Sequence, residues 1–196
     1  EIAQCLVGSE MCIRDRGEHV KKNSPLRLVI EILLIVIVAI GLATLFTRFV
    51  MQPYEIPSGS MEQTIEVGDR VFSEKVSYMF GDPVQGDIIT FEDPADSERV
   101  LIKRVIATGG QTVDLRDGVV YVDGVPLDEP YTQGKPSNDL NSGITYPYTV
   151  PEGHVWVMGD NRTNSADSRA FGAIPLESVT GHAVLRYWPL DRIGTL

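Results

Sequence analysis

Hydrophobic positions along the chain fall into two distinct patterns. From Leu28 to Phe46, LVIEILLIVIVAIGLATLF, nearly every position is apolar, and Glu31 is the one charge among 19 residues. A run that is apolar on all sides reads as a helix in lipid, and 19 residues at 1.5 Å rise cover roughly 28 Å, close to the hydrocarbon thickness of a bilayer. Small residues fall inside the run and no A-x-A site follows it, so the segment, bounded at 28–47, is expected to be an uncleaved membrane-spanning helix.

Beyond residue 50 the pattern changes to short runs of β-branched and aromatic residues between Gly, Pro and Asp. RVFSEKVSYMF, GDIITFEDP, RVLIKRVIATGG, QTVDLRDGVVYVDGVPL, GHVWVMGDN and SVTGHAVLRYWPLDRIG predict strands. Asp117-Gly118 and Asp123-Gly124 predict tight hairpin turns. Residues 128–149, DEPYTQGKPSNDLNSGITYPYT, read as a polar excursion within a small insert around 111–150. The expected fold is mainly β, a curled antiparallel sheet or open barrel over residues 48–196, behind one N-terminal helix. The first sixteen residues, EIAQCLVGSEMCIRDR, follow neither pattern and resemble translated sequencing adapter; they are read as a non-native or disordered leader.

Charge adds a direction. Residues 51–196 carry 11 Lys and Arg against 22 Asp and Glu, whereas residues 1–50 are nearly balanced. An acidic main domain excludes a nucleic-acid backbone as partner. Lys21, Lys22 and Arg27, in a basic segment at 17–27, precede the apolar run and Arg48 alone closely follows it. The positive-inside bias therefore predicts a cytoplasmic N-terminus and an extracytoplasmic β domain on a single-pass anchor, with the bilayer itself as a partner. Cys5 and Cys12 are the only cysteines, so the main domain has no disulfide or thiolate metal ligand, and His19, His154 and His182 lack metal-ligand spacing. Neither a metal nor a cofactor is expected.

Three stretches carry candidate chemistry. In YEIPSGSMEQTI, Ser58 and Ser60 flank Gly59 shortly after the apolar run; a serine needs a base to become a nucleophile. His154 and His182 belong to no triad motif. Of the three lysines beyond the apolar run, Lys75 has polar neighbours and Lys135 lies in a loop. Lys103, in VLIKRVI, shares a strand face with Leu101 and Val105. Burial there would lower its pKa, whereas Arg104 on the other face cannot deprotonate and must pair. In GDNRTNSADSRAFG, Asp160/Arg162 and Asp167/Arg169 form two Asp-x-Arg triplets around Ser165, read as a loop pinned by ion pairs.

Taken together, these stretches resemble the type I signal peptidases of bacteria, from about residue 20 onward. IPSGSM is similar to the nucleophile box, GDIITF to a structural box, IKRVIATGGQTV to the lysine box and GDNRTNSADSRAFG to the last box. The resemblance implies the fold of that family, which is LexA-like. It also implies a serine–lysine dyad, with Ser60 as nucleophile and Lys103 as general base. Ser58 and Ser60 would form the oxyanion hole, and Ser165 would orient Lys103. Asp167 and Arg169 would hold the loop, with Asp160, Arg162 and Arg104 as secondary supports. The implied substrates are secretory preproteins leaving the translocation machinery, cut after small residues at the minus-one and minus-three positions. Tyr54, Ile56, Pro57, Met61, Ile65, Leu101 and Ile102 are the candidate pocket residues. Two departures stand beside the site: Gln63 replaces a frequent proline, and ATGGQ replaces a common L-P-G-D. The competing readings are a LexA-like self-cleaving regulator, which lacks room here for a DNA-binding domain, and a non-catalytic membrane-tethered β module.

Overall fold

The computed structural model describes residues 25–196 of the 196-residue chain. The leader at 1–16, both cysteines, His19, Lys21 and Lys22 lie outside the described residues. Helix α1 runs over Pro25–Phe49, three residues beyond the apolar run at each end. Proline opens it, where a missing N–H costs nothing, and Arg27 pairs with Glu31 one turn on, at 3.1 Å. Its side chains are exposed throughout. Two compact units divide the chain within this helix, between Gly41 and Leu42.

The second unit is built of strands. In chain order they are β1 (Met51–Glu55), β2 (Arg70–Glu74), β3 (Ile88–Asp93), β4 (Asp96–Thr108), β5 (Thr112–Arg116), β6 (Val119–Val122) and β7 (Val125–Pro126). After these come β8 (Tyr148–Thr149), β9 (His154–Met158), a single helical turn α2 (Ser168–Phe171), β10 (Ile174–Pro175), β11 (Val179–Trp188) and β12 (Gly194–Thr195). An eight-stranded antiparallel sheet runs β1-β2-β11-β3-β4-β9-β10, with β12 also on β11; β5 to β8 form a second, four-stranded sheet in the order β7-β6-β5-β8. The large sheet stays open, since its end strands β1 and β10 do not pair with each other. The expected mainly-β architecture is therefore the observed one.

Local chemistry explains where strands stop. The run RVFSEKVSYMF ends as a strand at Glu74, because the Glu74 carboxylate accepts the amides of Val76 and Ser77 at 2.8 and 3.0 Å and turns the chain. The two hairpin turns form as the Asp-Gly pairs predict. Asp117 and Gly118 have φ of 50° and 80°, Asp123 and Gly124 have 51° and 79°, the left-handed pair that a two-residue hairpin needs. Strand β1 was not expected, because MQPYE carries a proline and little β-branching. It forms as an edge strand, where a proline's missing N–H is tolerated.

Three apolar clusters fill the described interior. One packs Ile106, Val113, Val120, Val122, Trp156 and Met158 between the two sheets. The other two gather around β4. Ile102 joins Ile56, Met61, Ile65 and Ile88, while Val105 joins Ile89, Phe91, Val155 and Val157, with Leu101 packed against them. Alternation along β4 thus sends neighbours to opposite faces. Lys103 pairs in register with Ile89 and so belongs to the Leu101–Val105 face, as the pattern predicts.

Candidate active site

Ser60 sits in a single 3-10 turn, Gly59–Met61, that follows β1. As an early residue of that turn its N–H has no intrahelical acceptor. Residue 58 is extended (φ −135°, ψ 152°), its hydroxyl makes no capping bond, and the residue is exposed. Gly59 has no left-handed φ. A Cβ there would displace the Glu62 carboxylate from the Asn161 amide that donates to it. Gln63 has φ 87°, a conformation closed to proline, so the turn after Ser60 is built differently from one carrying proline at that position.

The Lys103 amine reaches this turn from β4. Nζ lies 2.8 Å from Ser60 Oγ and 2.8 Å from its neighbour's carbonyl, Ile102 O. Ser60 and Lys103 are 7% and 3% exposed. Burial pushes the lysine down from 10.5 to about 8, against the opposing pull of Asp167. A lysine near 8 is about a tenth neutral at pH 7, roughly 300-fold more than a free one. The two described histidines are otherwise engaged: His154 Nδ1 lies 3.0 Å from the Glu152 carbonyl, and His182 lies between Glu74 and Asp87.

The stretch 159–162 clamps the serine turn. Asn161 N–H donates to Ser60 O at 3.0 Å. Asn161 Nδ2 donates to Gly59 O and Glu62 Oε2, each at 2.9 Å, and Asp160 N–H meets Met61 Sδ at 3.4 Å. Thr64 Oγ1 donates to Asp160 at 2.6 Å. A Cβ on Gly159 would strike the Ser165 hydroxyl and Ser60 carbonyl, which explains glycine at the end of β9.

The two Asp-x-Arg triplets behave differently. Asp167 and Arg169 pair with each other through two oxygens at 2.9 Å; Asp167 also accepts Gly159 N–H and caps α2. Asp160 and Arg162 do not pair. Asp160 takes a bidentate bond from Arg104, at 2.9 and 2.7 Å, and the Arg104 guanidinium lies over Tyr131. Arg162 instead forks onto Glu129 and donates to Ser137 at 2.6 Å. The expected internal Asp160–Arg162 pair is thus corrected: at 0% and 1% exposure both groups need bidentate partners, and distant strands and loops supply them.

Ser165 Oγ is buried without a hydrogen-bond partner, and the bonds of Lys103 Nζ go elsewhere. Among the pocket candidates, Tyr54, Ile56, Pro57, Leu101 and Ile102 line one small cavity of about 30 Å³, joined by Thr90 and Val100. Met61 and Ile65 do not line it; both are wholly buried in the core. Residues that sequence reasoning missed are Glu129, Ser137, Thr64, Glu62, Asn161 and Lys135, whose Nζ donates to Asn161 Oδ1 at 2.7 Å. Only Asn161 carried a signal, its place in GDN.

Residues 29–188 match the family described as signal peptidase, peptidase S26. The chain belongs to this family. A probable signal peptidase I-1 of Synechocystis sp. is 44% identical over 88% of this chain and 89% of its own length. A signal peptidase I of Mycobacterium tuberculosis is 37% identical over 89% and 76%. A crystal structure of a signal peptidase I from Enterococcus faecalis V583 aligns with TM-score 0.43 and 35% identity over 52% of this chain and 97% of that one. As a signal peptidase the chain is a hydrolase of peptide bonds whose family processes preproteins bearing signal peptides. One N-terminal apolar helix fits a membrane anchor.

Proposed function

We propose that this signal peptidase is a single-pass membrane serine endopeptidase that removes signal peptides through a Ser60–Lys103 dyad. Its substrates are secretory preproteins emerging from the translocation machinery, cut after small residues at minus-one and minus-three. The observation that carries the reading is the 2.8 Å contact between Lys103 Nζ and Ser60 Oγ in a site that burial keeps dry.

The chemistry follows from that contact. Neutral Lys103 accepts the Ser60 proton as Oγ attacks the scissile carbonyl carbon. The developing oxyanion takes hydrogen bonds from the Ser60 N–H and the Ser58 hydroxyl, donors with no acceptor inside their own turn. The Lys103 ammonium then protonates the leaving amine, freeing the mature protein and leaving the signal peptide as an ester on Ser60. Water attacks the ester, Lys103 again takes the proton, and the serine is restored. Asp167, Arg169, Asp160, Arg162 and Arg104 act by holding the turn and loop. Ser165, whose buried hydroxyl has no other partner, is the group left to orient the amine.

Substrate binding is read as β-addition. Residues 100–103 of β4 pair with β3 on one side, while β9 pairs only from Arg104 onward, so one edge of that stretch can accept an extended peptide. The cavity lined by Tyr54, Ile56, Leu101 and Ile102 lies beside it, and its size suits a small side chain. With Arg27 before the apolar run and Arg48 after it, the charge bias first read from Lys21 and Lys22 supports an N-terminus in the cytoplasm and catalysis outside.

The test is incubation of the full chain with a synthetic preprotein, the cut being mapped by mass spectrometry. A single cut after small residues at minus-one and minus-three, lost in Ser60→Ala and in Lys103→Met, is expected. Normal processing by Lys103→Met would remove the lysine from the mechanism.

A further inference from the structure

The end of α1 carries a second, unassigned feature. A groove of about 640 Å³ is lined by Thr44, Thr47, Arg48 and Phe49 of the helix, and by Gln52 and Lys75. Lys75 is fixed there: its N–H donates to Val50 O at 3.0 Å and its ammonium to Arg48 O at 3.3 Å, the favourable place for a cation at a helix C-terminus.

Arg48 is the exception among the described arginines. Arg70, Arg99, Arg104, Arg116, Arg162, Arg169, Arg186 and Arg192 each have a carboxylate within 4.0 Å. Among the described residues neither Arg48 nor Lys75 does. Two cations lining one groove with no carboxylate on either leave a local positive charge in a domain with twice as many acids as bases. Leu45, Phe46 and Phe49, exposed on the same stretch of helix, continue the groove as apolar surface. Positive charge at the polar end of an apolar surface matches an anionic amphiphile.

We propose that this groove binds the phosphodiester headgroup of an anionic phospholipid, with the acyl chains along Phe46 and Phe49. The proposal rests on the reading of α1 as a membrane anchor. Bound there, the lipid would fix the start of β1, the strand that leads directly to the Ser60 turn.

Full-length protein in detergent, offered equal amounts of phosphatidylglycerol and phosphatidylcholine, should retain the former preferentially by native mass spectrometry. Arg48→Gln with Lys75→Gln should reduce the preference by roughly 25-fold, about 5-fold per cation. Arg116→Gln, on the β5–β6 hairpin, should leave it unchanged. A preference that survives in the double variant, or equal retention of both lipids by the wild type, would overturn the site. Displacement by glycerol 3-phosphate at equal concentration would mean a soluble-anion site and would likewise overturn it. Flotation with pure phosphatidylcholine vesicles separates the two claims. A chain that floats without showing headgroup preference keeps its anchor and loses this site; one that fails to float loses both.

Discussion

In the four-stranded sheet, Val113, Val120 and Val122 pack against Ile106, Trp156 and Met158 in a purely apolar cluster. Around the Ser60 turn the wholly or nearly wholly buried set instead includes Asp160, Arg162, Asp167 and Arg169. Three strands of the small sheet, β5 to β7, are neighbours in sequence joined by two Asp-Gly turns, and only β8 returns to β5 from farther along the chain. The site is assembled from β1, β4, β9 and loops up to a hundred residues apart. Buried ion pairs give little net stability over an apolar core, so their concentration here points to orientation as their purpose. The two regions are also joined: Glu129, Lys135 and Ser137, from the insert that carries the small sheet, brace Arg162 and Asn161.

The sharpest way to separate the regions is activity. Lys103→Arg keeps the charge but provides no base, and should lower preprotein cleavage by at least about 10⁴-fold while the fold persists. For the wild type, cleavage measured against pH should rise with an apparent pKa of about 8, and a rise only near that of a free lysine would contradict the dry site. Breaking the buried ionic set comes next. Asp167→Ala strands the Arg169 guanidinium and should cost about 3–5 kcal/mol in urea unfolding.

A third contrast depends on pH. The folded pKa of Lys103 lies below its unfolded value, so the buried ammonium costs stability in full below pH 8. Between about pH 8 and 10.5 the unfolded chain binds a proton that the folded chain does not, and wild-type stability should rise through that window by roughly 3 kcal/mol. Lys103→Met should be the more stable protein at pH 7 and should lack the rise; parallel pH curves would refute the assigned burial cost. The smallest effect belongs to the hairpins. Gly124 has φ 79° and no atom within 4 Å of a Cβ position, so Gly124→Ala should cost only the backbone strain, about 1 kcal/mol, with cleavage unchanged.

The legible parts share a physical character. The long apolar helix was readable because apolarity on every side has one common solution, and the Asp117 and Asp123 hairpins because two residues at positive φ decide the turn locally. Ser60, Lys103 and the 159–172 loop were readable as candidates through resemblance. Strand β1 was missed because an edge strand's pairing comes from its neighbour β2, not from its own propensity. The Arg162–Glu129 and Arg104–Asp160 pairs were missed because nothing in the sequence selects a partner among many acids.

By itself, then, the sequence determined the long apolar helix, the alternating strands with their turn points, and the residue types able to act as nucleophile and base. Tertiary structure decided which charges meet, which glycines let segments touch, and that the amine at position 103 lies dry against the hydroxyl at position 60. The reason is range. Periodicity and turn chemistry act over a few residues, whereas desolvation and ion pairing depend on atoms that only the folded chain brings together.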